Sequence, residues 1–233
     1  MGSETMRAMH PQTPSYWDDA LLALRSADPV MGELAEIAHP HRLESRGDPF
    51  TTLVRSIVGQ QISVKAADAI WARLLQAAGA AARRPQVTPD GILGAQKTLE
   101  TVGLSGRKRA YLLQLAQWFA ENPGLEHEFP LLDDEAVIRL LVGQPGIGRW
   151  TAEMFLIFTL MRPDIFPVDD LGILKAIDLH YPRALSAYRR KHPGDSPAAR
   201  RARAMRLAER WRPYRTVASW LLWRSLDPVP VAY

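Results

Sequence analysis

The sequence predicts an all-α protein, and three observations predict it. Apolar residues recur at spacings of three and four along most of the chain. No segment of useful length alternates apolar and polar residues. Aspartate and proline start signals stand ahead of several apolar stripes. The 233 residues suffice for one large domain or two small interlocked ones.

In chain order, the polar leader Met1–Pro14 lacks the apolar core of a signal peptide and is expected to be a frayed terminus. Ser15–Ser26 reads as a first amphipathic helix. From Phe50 to Gln76, Leu53, Val54, Ile57 and Val58, then Ile62, Ala66, Ile70 and Leu74, mark two helices with a turn at Gly59-Gln60-Gln61. Arg107–Ala120 is a further helix with Leu112, Leu113, Ala116 and Phe119 inward. Asp133 is expected to cap the next, with Asp134 and Glu135 near its positive end and Val137, Leu140 and Leu141 in the core. Thr151–Met161 is helical with Ala152, Phe155, Leu156 and Leu160 inward; Pro163 and Pro167 break it, and Asp169-Asp170 opens another. Pro182–Arg203 reads as a loop and a basic helix start, its charges either a solvated face or phosphate contacts. The last helix is expected near Pro213 as a first-turn residue; it carries Val217, Trp220 and Leu221 and ends near Asp227-Pro228.

Composition removes several function classes. With no cysteine there is no disulfide, thiolate zinc site or Cys-ligated iron–sulfur cluster. No apolar run approaches the ~18 residues of a membrane span. The closest histidine pair, His39-Pro40-His41, is a poor chelate across its proline, so no side-chain metal site is expected. The net charge of +4 suits a polyanion but does not identify one.

The segment from Leu140 to Glu153 carries the most chemistry. A helix runs into Pro145-Gly146-Ile147-Gly148 and another starts near Arg149. Gly146 and Gly148 permit a tight hairpin, and Ile147 between them would pin it to the core. The second helix then offers free N–H groups and a positive dipole end, which suit a DNA phosphate. Gly-x-Gly alone fits a plain helix–turn–helix connection equally well. Downstream stand two adjacent carboxylates, Asp169 and Asp170, readable as a catalytic group or as a simple N-cap.

Pro145-Gly-Ile-Gly-Arg-Trp-Thr-Ala152 followed by Phe166-Pro-Val-Asp-Asp-Leu-Gly172 resembles the 3-methyladenine DNA glycosylase II (AlkA) family of the helix-hairpin-helix glycosylases. Ile57-Val-Gly-Gln-Gln-Ile-Ser63, Gly103-Leu-Ser-Gly-Arg-Lys108 and Arg210–Trp223 resemble it too, so the likeness runs from about Phe50 to Trp223, in order.

The resemblance implies a monofunctional glycosylase of base excision repair. It would flip alkylated bases, 3-methyladenine and 7-methylguanine, out of double-stranded DNA and hydrolyse their N-glycosidic bonds. It implies Asp170 as the catalytic residue by ungapped counting from Arg149-Trp150, or Asp169 by alignment on the proline. Trp150, Met154 and Trp223 would line the base pocket, with Phe155 and Trp220 in the core. Gln60, Gln61 and Ile62 would supply the wedge that fills the gap. Gly146, Ile147, Gly148 and Thr151 would meet the DNA backbone, and Arg149, Arg107, Lys108 and Arg215 are candidates for phosphate contacts, or else solvated surface charges. Lyase-active relatives carry a lysine where Trp150 stands, so no lyase activity is expected.

No cofactor is required, although a monovalent cation at the hairpin carbonyls is compatible with the resemblance. Two helical subdomains are expected around a DNA cleft, 1–50 plus 167–233 and 51–166, the second holding the helix-hairpin-helix at about 140–160. The extra N-terminal β domain of some relatives is expected to be missing. A monomer in the cytoplasm, nucleoid-associated in a bacterium, fits an enzyme that scans DNA. Two alternatives remain: a glycosylase for another lesion class, and a non-catalytic helix-hairpin-helix DNA-binding module, which would leave the aspartates and tryptophans idle.

Overall fold

The computed structural model describes residues 12–80, 85–183, 186 and 196–226. Among the described residues all regular structure is helical, as the periodicity predicts, and none is strand. Most of the leader, part of the basic Pro182–Arg203 stretch and the Asp227-Pro228 terminus lie outside the described residues.

The chain opens with α1 (Trp17–Ala27) and α2 (Pro29–Ala38). Asp28 joins them, capping α2 through Val30 N–H at 3.1 Å, with Pro29 in its first turn. Its buried carboxylate also accepts the Tyr181 hydroxyl and the Trp211 indole N–H, each at 3.0 Å. One residue thus ends a helix through its backbone, starts the next through its side chain and ties both to segments far along the chain. Burial and the Asp28 carboxylate together push the Tyr181 phenol well above its ordinary range.

The paired stripes from Phe50 to Gln76 are α3 (Pro49–Gly59) and α4 (Val64–Ala77). Asp48 caps α3 and Ser63 caps α4, accepting from Thr51 N–H and Ala66 N–H. Then follow α5 (Pro89–Gly94), α6 (Gly106–Glu121) and the single turn α7 (Leu125–Glu128). Phe50, Phe119, Phe129 and Phe155 meet in series, with ring centroids 5.0, 6.3 and 5.1 Å apart. This aromatic line joins α3, α6 and the helices of the hairpin into one core.

α8 (Asp134–Val142) starts on Asp133, which accepts Ala136 N–H at 2.7 Å, as the sequence predicts. It leads through the hairpin to α9 (Arg149–Phe158). α10 (Leu171–His180), α11 (Pro197–Ala208) and α12 (Arg215–Leu226) complete the chain. α1 and α2 pack on α12, which packs on α10; α3 packs on α4, α6 and α9; α5 lies on α6, and α8 on α9.

Several expectations shift. Leu140 is 39% exposed, because Val137, Ile138 and Leu141 fill the inward side of α8 without it. Ile62 and Val64, at the start of the α4 stripe, are also exposed. Pro213 precedes its helix rather than opening it. The first turn of α12 instead finds acceptors on the loop after α9, with Thr216 N–H donating to Pro163 C=O at 3.0 Å.

Candidate active site

The hairpin forms because its glycines adopt what other residues would not. Gly146 sits at φ 86°, and a Cβ there would lie 2.3 Å from Tyr111 Cδ2. Left-handed backbone and ring contact both demand glycine. Ile147 is buried, so it pins the loop as the sequence suggests. Gly148 occupies the N-cap of α9 and supplies no side-chain cap, with open space where its Cβ would be. The first α9 bond is Ala152 N–H to Gly148 C=O at 3.0 Å, which leaves the preceding N–H groups without helical acceptors. Thr151, an expected backbone contact, is buried, so its hydroxyl does not face solvent.

Asp170 stands where α9, α10 and α12 meet. Its Oδ2 accepts the Trp150 indole N–H at 2.8 Å. Its Oδ1 accepts the Trp223 indole N–H at 2.9 Å and the Ile173 backbone N–H at 2.8 Å, which makes it the N-cap of α10. The N-cap of α10 and the carboxylate that gathers both indoles are therefore the same residue. Gly172 makes this arrangement fit: a Cβ there would press to 3.0 Å from Asp170 Oδ1 and 3.3 Å from Trp223 Cδ1. Its role lies in the Asp-Leu-Gly motif but is invisible without coordinates. Asp169 points elsewhere, pairing with Arg201 of α11 at 3.3 Å.

The aromatic residues are arranged unequally. Trp150 remains 44% exposed beside the carboxylate it holds. Trp223 stacks on Phe158 with centroids 5.8 Å apart, and the Arg46 guanidinium lies 4.0 Å over the Phe158 ring. Met154, expected to line a pocket, is buried, because its side of α9 packs into the core. Phe155 and Trp220 are buried, as predicted, the latter edge-on to Trp17 at 5.0 Å.

The expected backbone contacts divide by what already holds them. Arg107 is exposed, with no ion pair among the described residues. Arg149 forks onto Glu135 of α8, at 2.5 and 3.2 Å, and donates from Nε to Glu153 at 3.1 Å. Hydrogen bonding to Glu135 raises the guanidinium pKa further, so this charge already has carboxylate partners. Arg215 is a clear departure from the expectation: it is 8% exposed and binds both Asp164 oxygens, at 2.7 and 3.0 Å. A guanidinium so occupied and buried cannot face a phosphate without breaking that pair.

Lys108 departs too. Its ammonium donates to Val58 C=O at 2.8 Å and Gln60 C=O at 2.6 Å, at the end of α3, and burial lowers its pKa. The expected wedge residues likewise split. Gln60 turns its amide onto Gly146 C=O at 2.8 Å, whereas Gln61 (φ 58°) and Ile62 are exposed.

Glu153 carried no signal in the sequence. It is 7% exposed one turn beyond Trp150, and burial pushes its carboxyl up to about 7 despite the Arg149 cation. Only the packing of its helix reveals it.

Comparison with known proteins places the chain in a family. The family model of the HhH-GPD superfamily base excision DNA repair proteins matches residues 54–210. DNA-3-methyladenine glycosylase 1 of Schizosaccharomyces pombe is 32% identical over 190 residues, 80% of this chain and 76% of that protein. DNA-3-methyladenine glycosylase 2 of Escherichia coli is 31% identical over 203 residues, 83% and 64% of the two chains. A crystal structure of DNA-3-methyladenine glycosidase from Bacillus halodurans superposes with a TM-score of 0.73 at 30% identity, covering 89% of each chain. The S. pombe enzyme in complex with abasic DNA superposes at 0.67, with 28% identity, 91% of this chain and all of the other. With its hairpin, its downstream aspartate and a match spanning more than half its length, the chain belongs to the HhH-GPD superfamily of base excision DNA repair proteins.

Proposed function

We propose that this protein is a monofunctional DNA glycosylase that flips 3-methyladenine and 7-methylguanine out of duplex DNA and hydrolyses their N-glycosidic bonds. The observation that carries the reading is the Asp170 carboxylate, held by two indole N–H groups beside the half-exposed face of Trp150. The names of the relatives support the same substrate class.

A base inside the duplex is out of reach, so it leaves the stack at a cost of a few kcal/mol, least where pairing is damaged. The hairpin N–H groups and the start of α9 take a phosphate, with Arg107 free to add charge. Gln61 and Ile62 enter the vacated space. Alkylation at N3 or N7 makes the purine cationic, and an indole face attracts a cation. Trp150 is the accessible indole here.

The C1′–N bond then breaks with its electron pair leaving on the base, which neutralises the base. Positive charge builds on the sugar, where the Asp170 carboxylate opposes it. Water adds at C1′ and gives up its proton to that carboxylate or to solvent. Three donors hold Asp170 in place before the charge develops, so little reorganisation is needed at that moment.

The position of Trp150 leaves no amine at the start of α9 to form a Schiff base. The two sets of packed helices are read as lobes on either side of a DNA cleft, in a monomer. A monovalent cation at the hairpin would have neutral backbone carbonyls as its donors, since no cluster of three His, Asp or Glu exists among the described residues. Gly146 C=O already serves Gln60.

The test is base release from methylated duplex DNA, with borohydride present in parallel. Free 3-methyladenine or 7-methylguanine without a trapped protein–DNA adduct is expected. A trapped adduct would contradict the monofunctional mechanism, and no released base would remove the alkylpurine assignment.

A further inference from the structure

We propose that Lys108 and Gln60 form a brace that makes the wedge turn and the phosphate-binding hairpin one rigid unit, so that gripping the backbone and inserting into the stack happen together. The inference rests on the base-flipping reading above and assigns to Lys108 a positioning role in place of a phosphate contact.

α3 ends where Val58 and Gln60 present carbonyls without helical donors, at the negative end of the helix dipole. Lys108, from the third position after the Ser105 cap of α6, reaches across and serves both carbonyls with one ammonium, at 2.8 and 2.6 Å. A compact ammonium with three rotatable donors suits two converging carbonyls. These two bonds fix the backbone of Gln60. Its side chain then spans to the hairpin, where Gly146 C=O accepts Nε2 at 2.8 Å. A carbonyl can only accept, so the amide orientation is set.

Gln60 is thus held through its own carbonyl on one side and holds the hairpin on the other. The next residue, Gln61, adopts left-handed backbone at φ 58° and is exposed, with Ile62 beside it. Left-handed backbone at a non-glycine residue persists only where its surroundings hold it. The hairpin end of the brace is equally fixed: Gly146 lies against the Tyr111 ring, on the same helix as Lys108. Three chain regions therefore meet at one carbonyl–amide–ammonium relay, and the exposed tip projects from it.

Rigidity of this kind acts on flipping and base release more than on initial DNA capture. Misplacement of a reacting constellation by about 1 Å can lower rate ~10²-fold. Lys108→Met removes the ammonium, and Gln60→Met removes the strut donor without adding charge. The experiment follows flipping by the fluorescence of 2-aminopurine beside an abasic analogue, single-turnover release of 7-methylguanine, and the salt dependence of duplex binding.

Each variant is expected to slow flipping and release about tenfold, and the double variant no further than the worse single one. The salt slope of Lys108→Met should equal that of wild type. A slope lower by about one would make Lys108 a phosphate ligand and overturn the proposal. Additive losses, or unchanged flipping in Gln60→Met, would overturn it as well. Wild type that shows neither flipping nor release would instead defeat the underlying glycosylase reading.

Discussion

Asp169 and Asp170 differ by one position and by everything around them. Asp170 turns inward at an extended backbone position, caps α10 and collects both indoles. Asp169 turns to Arg201 on the surface. The sequence shows the pair and leaves its register open, because a capping rule and a catalytic rule accept the same residue type. Arginines are still less legible. Arg107 and Arg215 look alike in the chain, yet the partner of Arg215 is Asp164, 51 residues away. No local pattern links them. Arg215→Ala removes hydrogen bonds to a charged partner but leaves Asp164 paired with Arg212, so it should cost about 1.5–3 kcal/mol of stability. Denaturant unfolding measures this, while the salt slope of DNA binding should stay at the wild-type value. A slope lower by about one with stability intact would return Arg215 to the DNA interface.

At the scale of elements, the α8–hairpin–α9 unit was the most legible part. Glycine spacing, the Asp133 cap and the apolar run after Trp150 all pointed to it, and each is found. Less legible are α2, which follows α1 after the single residue Asp28, and α5, which is only 6 residues long. The buried Glu153 gives α9 a pH dependence. Its folded carboxyl keeps a proton up to about pH 7, against an ordinary value of 4.5. Between those values the folded chain binds more protons than the unfolded chain, so stability falls as pH rises through that window and levels off above it. The full cost is on the order of 3 kcal/mol. Glu153→Gln should flatten the decline in stability between about pH 5 and 8, as read by thermal or urea unfolding. Parallel pH curves for wild type and variant would show that another group sets the slope.

For the whole molecule, fold class is readable because helical periodicity repeats along the chain and no segment alternates like a strand. The meeting of α9, α10 and α12 at one carboxylate was not readable, because Trp150, Asp170 and Trp223 come from distant segments. Only their order within family-like motifs hinted at it. Under the proposed function, loss of surface charge should weaken DNA binding and loss of Asp170 should slow base release, so the two effects should separate in kinetics.

The most direct test compares single-turnover release of 7-methylguanine by wild type, Asp170→Asn and Asp169→Asn at saturating protein. Asp170→Asn should lose ~10²-fold or more while still binding an abasic-site duplex, and Asp169→Asn should stay near wild type. If Asp169→Asn is the inactive variant and Asp170→Asn releases base normally, the assignment of chemistry to the indole-held carboxylate is wrong.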